Sequence, residues 1–385
     1  MVSRELIVAA LCTGLLLAHR LAAPSPKRVA IRTQDSVEAE ALAVDTWSEA
    51  RGPGLPVDIV VMSDELDRLG APYEVLDPDI DATADAERTR LHASAMTADW
   101  FGEFRDYGAI SGHLSQLAAL APARVALHSI GTSLEGRPLW ALKIGHGPSP
   151  MLINGTQHAR EWIAAMTATC VADRLVRDYD RDPAIKDFVD RTTLWIVPVA
   201  NPDGYQYSWS DKRYWRKNRR NGVGVDLNRN FSVAWGGDGS SKNERSETFR
   251  GPHAFSEPES TALRDLSLRE HVAKHIDFHA YGQLVLYPWN HTKTPAKDRD
   301  RFAGIGDRIA SAIFAQHQQR YALMPGVQLY AAAGTMTDWE YGEVGALSYT
   351  IELRPKGGSG FVLPPSEIRP TCDEGLAAVL ALGKP

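Results

Sequence analysis

The chain has 385 residues, 44% of them hydrophobic and 31 of them glycine, enough to bury a full core and more than one average domain. Its net charge of -6 and isoelectric point near 6.1 give it no polybasic character, so nucleic acid is excluded as the expected partner.

In chain order, Arg4, the apolar run 6–18 and the small residues at Leu21-Ala22-Ala23 read as a secretory signal over residues 1–23. That run is too short to span a bilayer and no other segment is long enough, so no membrane is expected for the mature form. Cys12 lies inside the signal. Cys170 and Cys372 remain, and either one disulfide or two separately buried thiols fit them. Residues 24–90 concentrate negative charge, with fifteen Asp and Glu against seven Lys and Arg. Within them, 28–32 and 57–62 predict strands, and 36–48 and 63–69 predict helices. The Asp-rich stretch 77–89 reads as a solvated linker ending at Arg88 and Arg90, exposed basic residues that invite proteolysis. Two readings fit this region: a small accessory domain, or an acidic segment that caps a larger domain until cleaved.

Beyond Leu91, strands and helices alternate. Residues 139–145 and 151–154 predict strands, and 161–179 a helix with an acidic start. A buried strand at 193–200 precedes a turn at Asn201-Pro-Asp-Gly204. Strands follow at 275–279 and 284–287, a helix at 302–318, a last strand at 347–354, and a helix from near Pro365 to Leu382. The alternation predicts an α/β domain whose central mixed, mostly parallel sheet is flanked by helices, preceded by a small α+β domain. Ligands of such sheets gather in loops beyond the carboxyl ends of strands, and both His158 and His279 fall at such positions.

His158-Ala-Arg-Glu161 follows the strand 151–154. A histidine and a carboxylate three residues apart can close on one metal ion from a single turn of backbone. One further donor then leaves the fourth position for water, as hydrolytic zinc requires. Alone the pair is a weak signal, because charged helix starts produce it often. Several histidines compete to be the third donor, among them His253, His271, His275, His279 and His291. On a strand His275, Asp277 and His279 share one face, so spacing does not choose among them.

Seven segments recur in order: His158-Ala-Arg-Glu-Trp162, Asn201-Pro-Asp-Gly204, Trp215-Arg-Lys217, Gly224-Val-Asp-Leu-Asn-Arg-Asn230, Phe255-Ser-Glu-Pro258, Asp277-Phe-His-Ala-Tyr281 and Ile351-Glu-Leu-Arg354. Together they resemble the secreted zinc metallocarboxypeptidases of the carboxypeptidase A/B type. Gly52-Pro-Gly-Leu-Pro-Val-Asp58 and Pro72-Tyr-Glu-Val75 resemble that family's activation domain. The resemblance implies a signal at 1–23, an activation segment at 24–92 and a catalytic domain at 93–385. It implies a secreted, extracellular or periplasmic, monomeric zymogen that removes single residues from peptide and protein C-termini after an endoprotease activates it.

Residue by residue, the resemblance implies one zinc ion held by His158, Glu161 and His279. Glu352 would be the general base. A carboxylate between Ile351 and Leu353 is costly to bury without such a task, and the plain alternative is a pair with Arg354. Arg216 would stabilise the developing oxyanion, while Asn228 and Arg229 would grip the substrate carboxylate, a bidentate task that suits a planar guanidinium. Seen alone, 214–220 is a basic run; only the resemblance separates Arg216 from Arg219 and Arg220. Tyr330 matches the mobile tyrosine that closes over the bound C-terminus. Arg160 and Tyr281 would line more distant subsites, Phe361 the cleft wall, and Asp226 would orient His158.

The resemblance places the residue before Asp338 at the base of the pocket for the C-terminal side chain. An aspartate there accompanies preference for Lys or Arg, and a bulky aliphatic accompanies apolar preference. Thr337 is neither. Leu286, Ala332 and Thr350 add mostly neutral walls, while Asp277 would add negative charge nearby. The balance favours neutral apolar or aromatic C-terminal residues. The loop between Arg216 and Asn228 is short and lacks the cysteine of the animal pancreatic enzymes. Sequons at Asn230 and Asn290 fall in site segments, where a glycan would obstruct the cleft. A catalytically silent C-terminus-binding module should have lost a zinc ligand or the glutamate, and this chain keeps them all.

Overall fold

The computed structural model describes residues 25–34, 39, 41–48, 56–94, 99–358 and 360–384. The expected signal, with Cys12, lies outside them. The strands are β1 (Arg28–Thr33), β2 (Asp45–Thr46), β3 (Val57–Met62), β4 (Tyr73–Asp77), β5 (Val125–Thr132), β6 (Pro138–Ile144), β7 (Ser149–Gly155), β8 (Thr192–Val197), β9 (Lys274–Ala280), β10 (Leu284–Tyr287), β11 (Ala322–Pro325) and β12 (Leu347–Leu353). The α-helices are α1 (Ile80–Ser94), α2 (Tyr107–Leu120), α3 (Trp162–Arg177), α4 (Pro183–Arg191), α5 (Pro202–Ser210), α6 (Pro258–Glu270), α7 (Arg299–His317), α8 (Met336–Trp339) and α9 (Ile368–Gly383).

The acidic N-terminal region folds as an antiparallel sheet in the order β2-β3-β1-β4. Period-two alternation gives it two apolar faces. Val29, Ile31, Val57, Ile59 and Val61 form its own small core. Ala30 and Val60 point the other way and, with Trp47 and Ile80, meet Tyr214 and Phe361 of the larger domain.

The larger domain is built on a sheet in the order β11-β10-β12-β9-β7-β8-β6-β5. Its centre, β12, β9, β7 and β8, runs parallel, β11 runs parallel to β10, and the other neighbours are antiparallel. The central strands are buried on both faces, and alternate residues such as Ile276 and Phe278 of β9 are apolar. Met151, Ile153, Ile276 and Phe278 pack into the large core that α3 and α9 also line. Leu152, Trp195 and Val197 pack on the opposite side with Leu263 and Leu266 of α6. A disulfide between Cys170 and Cys372 ties α3 to α9, which settles the pairing that the sequence left open. Among the described residues no helix is long and apolar enough to cross a membrane.

Three expectations are corrected. The solvated linker at 77–89 is instead α1, because its charges pair rather than repel: Arg28 with Asp81, Arg88 with Asp85, Arg90 with Glu103, and Arg213 with buried Glu87. Arg88 and Arg90 are accordingly half-buried in a helix, not on an open strap. The helix expected at 36–48 is interrupted, since Asp45 and Thr46 pair with Val60 and Ile59 as an edge strand; residues 35–38 and 40 lie outside the described set. The turn at Asn201-Pro-Asp-Gly204 is the first turn of α5, with the Asn201 side chain accepting from Gly204 N at 3.0 Å and Pro202 at a position that needs no donor.

Candidate active site and metal centre

Three side chains converge beyond the carboxyl ends of β7 and β9. His158 and Glu161 lie in the turn between β7 and α3, and His279 is near the end of β9. All three are buried, and among the described residues they form the one cluster of His, Cys, Asp or Glu able to hold a metal ion. His158 Nδ1 is 2.7 Å from Glu161 Oε1 and 3.1 Å from His279 Nδ1, while Glu161 Oε2 is 3.1 Å from His279 Nδ1. Two imidazole nitrogens facing each other this closely can share a proton or a metal ion between them. Zinc bonds of about 2.1 Å in tetrahedral array separate donors by roughly 3.4 Å, close to the observed spacings. The residues fit a zinc ion.

The surroundings ask for positive charge. Burial alone would discharge His279, but the Asp277 and Glu161 carboxylates hold it well above the usual imidazole range. Burial likewise opposes ionisation of Glu161, yet His158 and His279 hold it well below the usual carboxylate range. Asp226 stands behind the cluster: its Oδ1 is 3.2 Å from His158 Nε2, and its Oδ2 accepts from Arg216 at 2.8 Å. Burial would raise Asp226, but Arg216, Arg229 and His158 keep it well below the ordinary value.

Glu352 lies on β12 directly across the parallel pairing from His279. Glu352, Glu161, Arg216, Tyr281 and Tyr330 line one cavity of about 430 Å³. Arg354, the plain alternative partner for Glu352, is bound by Glu374 and Glu367. Asn228 is buried beside His279, with its Oδ1 accepting from Met336 N at 2.9 Å. Arg229 is also buried, and donates to Asn228 O at 2.7 Å and to Gly239 O at 2.9 Å. Gly239 has φ +73°, and a Cβ there would lie 1.8 Å from Ala331 O, so only glycine lets this loop reach the Tyr330 segment. The Arg229 guanidinium stands 5.9 Å from the Tyr330 ring.

Thr337 is fully buried, its hydroxyl 2.5 Å from that of Thr350. Asp338, next to it, is occupied by the backbone N–H groups of Asn290 and His291 and by both their side chains. The Asp277 carboxylate, expected to add negative charge near this pocket, is turned onto His279 Nε2 at 2.9 Å. Neither sequon asparagine is available for a glycan: Asn230 is fully buried among Arg250, His253 and Ser256, and Asn290 is buried against Asp338.

The remaining expected residues are covered by the N-terminal sheet. Arg160 is buried, donates to Thr46 O at 3.0 Å and stands 4.3 Å over the Phe361 ring. Tyr281 donates to Asp58. Trp47, which no sequence signal singled out, stacks on Tyr214 at 5.1 Å and meets Phe361 edge-on at 5.6 Å.

A profile of the zinc carboxypeptidases matches residues 110–378. The chain belongs to this family. As a zinc carboxypeptidase it is a metallopeptidase, and zinc is its metal. It is 33% identical over 365 residues to carboxypeptidase A4 of Mus musculus, covering 88% of this chain and 86% of that protein. Identity to carboxypeptidase B of Bos taurus is also 33%, over 84% of this chain and 79% of that one. Among solved structures, thrombin activatable fibrinolysis inhibitor superposes with a TM-score of 0.85 at 27% identity, over 93% of this chain and 98% of that one. Carboxypeptidase A from Helicoverpa armigera superposes at 0.82 with 27% identity, over the same shares. The zinc carboxypeptidase fold therefore extends beyond the profile match into the N-terminal sheet.

Proposed function

We propose that the chain is a secreted carboxypeptidase zymogen that releases single neutral apolar or aromatic residues from peptide and protein C-termini. The observation that carries this is that Glu161 of the His158–Glu161–His279 cluster lines one cavity with Glu352 and Arg216. Zinc, when bound by these three residues, polarises the scissile carbonyl and lowers the pKa of the attacking water. Glu352 takes the proton of that water and delivers it to the amine nitrogen as the C–N bond breaks. Arg216, fixed by Asp226, faces the oxygen on which negative charge develops. Asn228 and Arg229 grip the terminal carboxylate, Tyr330 closes over it, and Arg160, Tyr281 and Phe361 contact residues upstream.

The preference rests on Thr337 and Thr350 satisfying each other, on Leu286 and Ala332 as buried walls, and on Asp277 and Asp338 being committed elsewhere. A basic side chain entering such a pocket would lose its hydration without a carboxylate in return. Latency is supported by Trp47, Ser48, Pro56 and Asp58 sharing the cavity lining with Glu161 and Glu352. Residues 24–92 are then the activation segment and 93–385 the enzyme, released by an endoprotease that cuts after basic residues. The disulfide supports export of residues 24–385 to an oxidising compartment, extracellular or periplasmic, after the signal at 1–23 is removed.

The test is metal content and hydrolysis of blocked dipeptides ending in Phe, Leu, Lys or Arg, before and after trypsin nicking, with and without a chelator. Zinc-dependent release of Phe and Leu after nicking is expected. Faster release of Lys and Arg, or activity in zinc-free protein, would overturn the reading.

A further inference from the structure

Behind His279 runs a chain of buried polar side chains that no catalytic step uses. On one face of the adjacent parallel strands β7, β9 and β12 stand Asn154, the alternate residues His275, Asp277 and His279, and Ser348. The pairing sets Asn154 across from Asp277 and Ser348 across from His275. Asn154, His275, Asp277 and Ser348 are fully buried.

The hydrogen-bond directions follow from the carboxylate. Asn154 turns its Nδ2 toward the Asp277 carboxylate, at 2.7 Å, and its Oδ1 toward His275 Nε2, also at 2.7 Å. His275 Nε2 must then carry the proton, and its Nδ1 accepts from Ser348 Oγ at 2.7 Å. Burial pulls His275 down to about 4, which keeps it in this neutral form. Asp277 Oδ2 accepts from Gln157 Nε2 at 2.5 Å and faces His279 Nε2 at 2.9 Å. Asn228 Nδ2 also lies 3.5 Å from His279 Nε2, but it is a donor facing a donor, so Asp277 decides the tautomer.

We propose that Asp277, aimed by Asn154 and Gln157, is a positioning residue that fixes His279 with its Nδ1 lone pair toward the zinc. Each zinc histidine then has its own carboxylate, Asp226 behind His158 and Asp277 behind His279, at 3.2 Å and 2.9 Å. A carboxylate behind a metal histidine raises its basicity and locks its ring, and removing one weakens metal binding by about 10- to 100-fold. The inference rests on the reading that His279 holds zinc.

The test is the zinc dissociation constant of the full chain, measured by competition with a chromophoric chelator, together with the visible spectrum of the cobalt(II) form. Asp277→Asn is expected to weaken zinc by about 10- to 100-fold and shift the cobalt bands. Asn154→Ala, which leaves every donor atom in place, is expected to weaken zinc by about threefold to tenfold through loss of aim alone. Folded Asp277→Asn that binds zinc within about twofold of wild type, with unchanged cobalt bands, would overturn the role given to Asp277. If Asp277→Asn does not fold, the same result for Asn154→Ala overturns it. His279→Ala is the control: if it still binds zinc as tightly as wild type, the metal-site reading fails instead.

Discussion

Tyr281 donates its phenolic proton to Asp58 across the seam between the N-terminal sheet and the cleft, with the two oxygens 2.6 Å apart. Burial and the adjacent carboxylate push this phenol well above its ordinary pKa, so it stays a donor at any working pH. Asp58 is held in turn by two bonds from Arg32, at 2.7 and 2.8 Å. A cleft residue is thereby fastened to a strand of the covering sheet, beside the aromatic clamp of Trp47.

Loosening that seam should unmask the site without cleavage. A hydrogen bond to a charged group contributes about 1.5–3 kcal/mol, and truncating a buried tryptophan costs about 3–5 kcal/mol. Trp47→Ala in the uncut chain is therefore expected to raise basal hydrolysis of a blocked dipeptide at least tenfold, and Asp58→Ala to raise it less. Fully nicked wild type sets the ceiling. Uncut variants no more active than uncut wild type would show that the sheet does not restrain the cleft.

The base assignment predicts a separation of binding from chemistry. Glu352→Gln keeps the shape of the side chain but cannot accept a proton, so kcat should fall by about 10²- to 10⁴-fold. Bound zinc and KM should stay near wild type, because the three proposed zinc ligands are untouched. Stoichiometric zinc with undiminished kcat in this variant would move the base elsewhere.

The strands around the site were legible because β7 carries a short apolar run and β9 alternates apolar with polar residues, and β7, β9 and β12 were placed within a few residues of their observed ends. The proposed ligands His158, Glu161 and His279 were named from motif order, and the structure brings them together. What failed was tertiary. Helix α1 carries only a sparse apolar stripe, Ile80, Ala84 and Leu91, and ion pairs to Arg213, Glu103 and Arg28 also hold it. Spacing placed Asp277 on the face of His279, but spacing could not tell that Asn154 of β7 would hold its carboxylate beside the imidazole. Trp47 carries no signal at all, since its role exists only where two domains meet.

Thr337 gives a direct test of the pocket. Thr337→Asp would place a carboxylate where two hydroxyls now satisfy each other. With an apolar substrate the charge stays buried and unpaired, and with Lys or Arg it is matched. The ratio of kcat/KM for Phe over Lys substrates should fall by at least 10²-fold, about 2.7 kcal/mol of discrimination. An unchanged ratio would place the pocket base elsewhere.

Stability should fall as pH rises through neutrality, in part because of Glu340. Burial, with the nearby Asp277 charge adding to it and Ser267 only partly offsetting it, pushes this carboxyl up to about 8. The folded chain then keeps a proton that the unfolded chain has already lost. The cost grows from the ordinary carboxyl range up to about pH 8 and is flat above it, at up to about 1.4 kcal/mol per pH unit. Glu340→Gln retains an acceptor for Ser267 and cannot ionise. Its stability advantage over wild type in chemical denaturation should widen between pH 5 and pH 8. Glu259, pushed by burial up to about 7, contributes a slope of the same sign that both proteins share. An advantage that does not change with pH would mean that Glu340 is already ionised in the fold.

The disulfide ties the helix that follows Glu161 to the C-terminal helix, across a sequence separation of 202. Closing so long a loop removes much unfolded-state entropy, about 5 kcal/mol in the chain-entropy treatment, although measured values more often lie near 2–4 kcal/mol. Both cysteines are buried, so mutation would confound the lost crosslink with a cavity. Reducing the wild-type chain and blocking its thiols under denaturing conditions, then refolding it, compares one sequence with and without the bond. The reduced form should show a lower denaturation midpoint. It should also lose zinc more readily on heating, because α3 begins at the residue after Glu161 and its fraying moves two of the three proposed ligands. Equal midpoints for the two forms would mean that packing of α3 against α9 alone holds the metal turn in place.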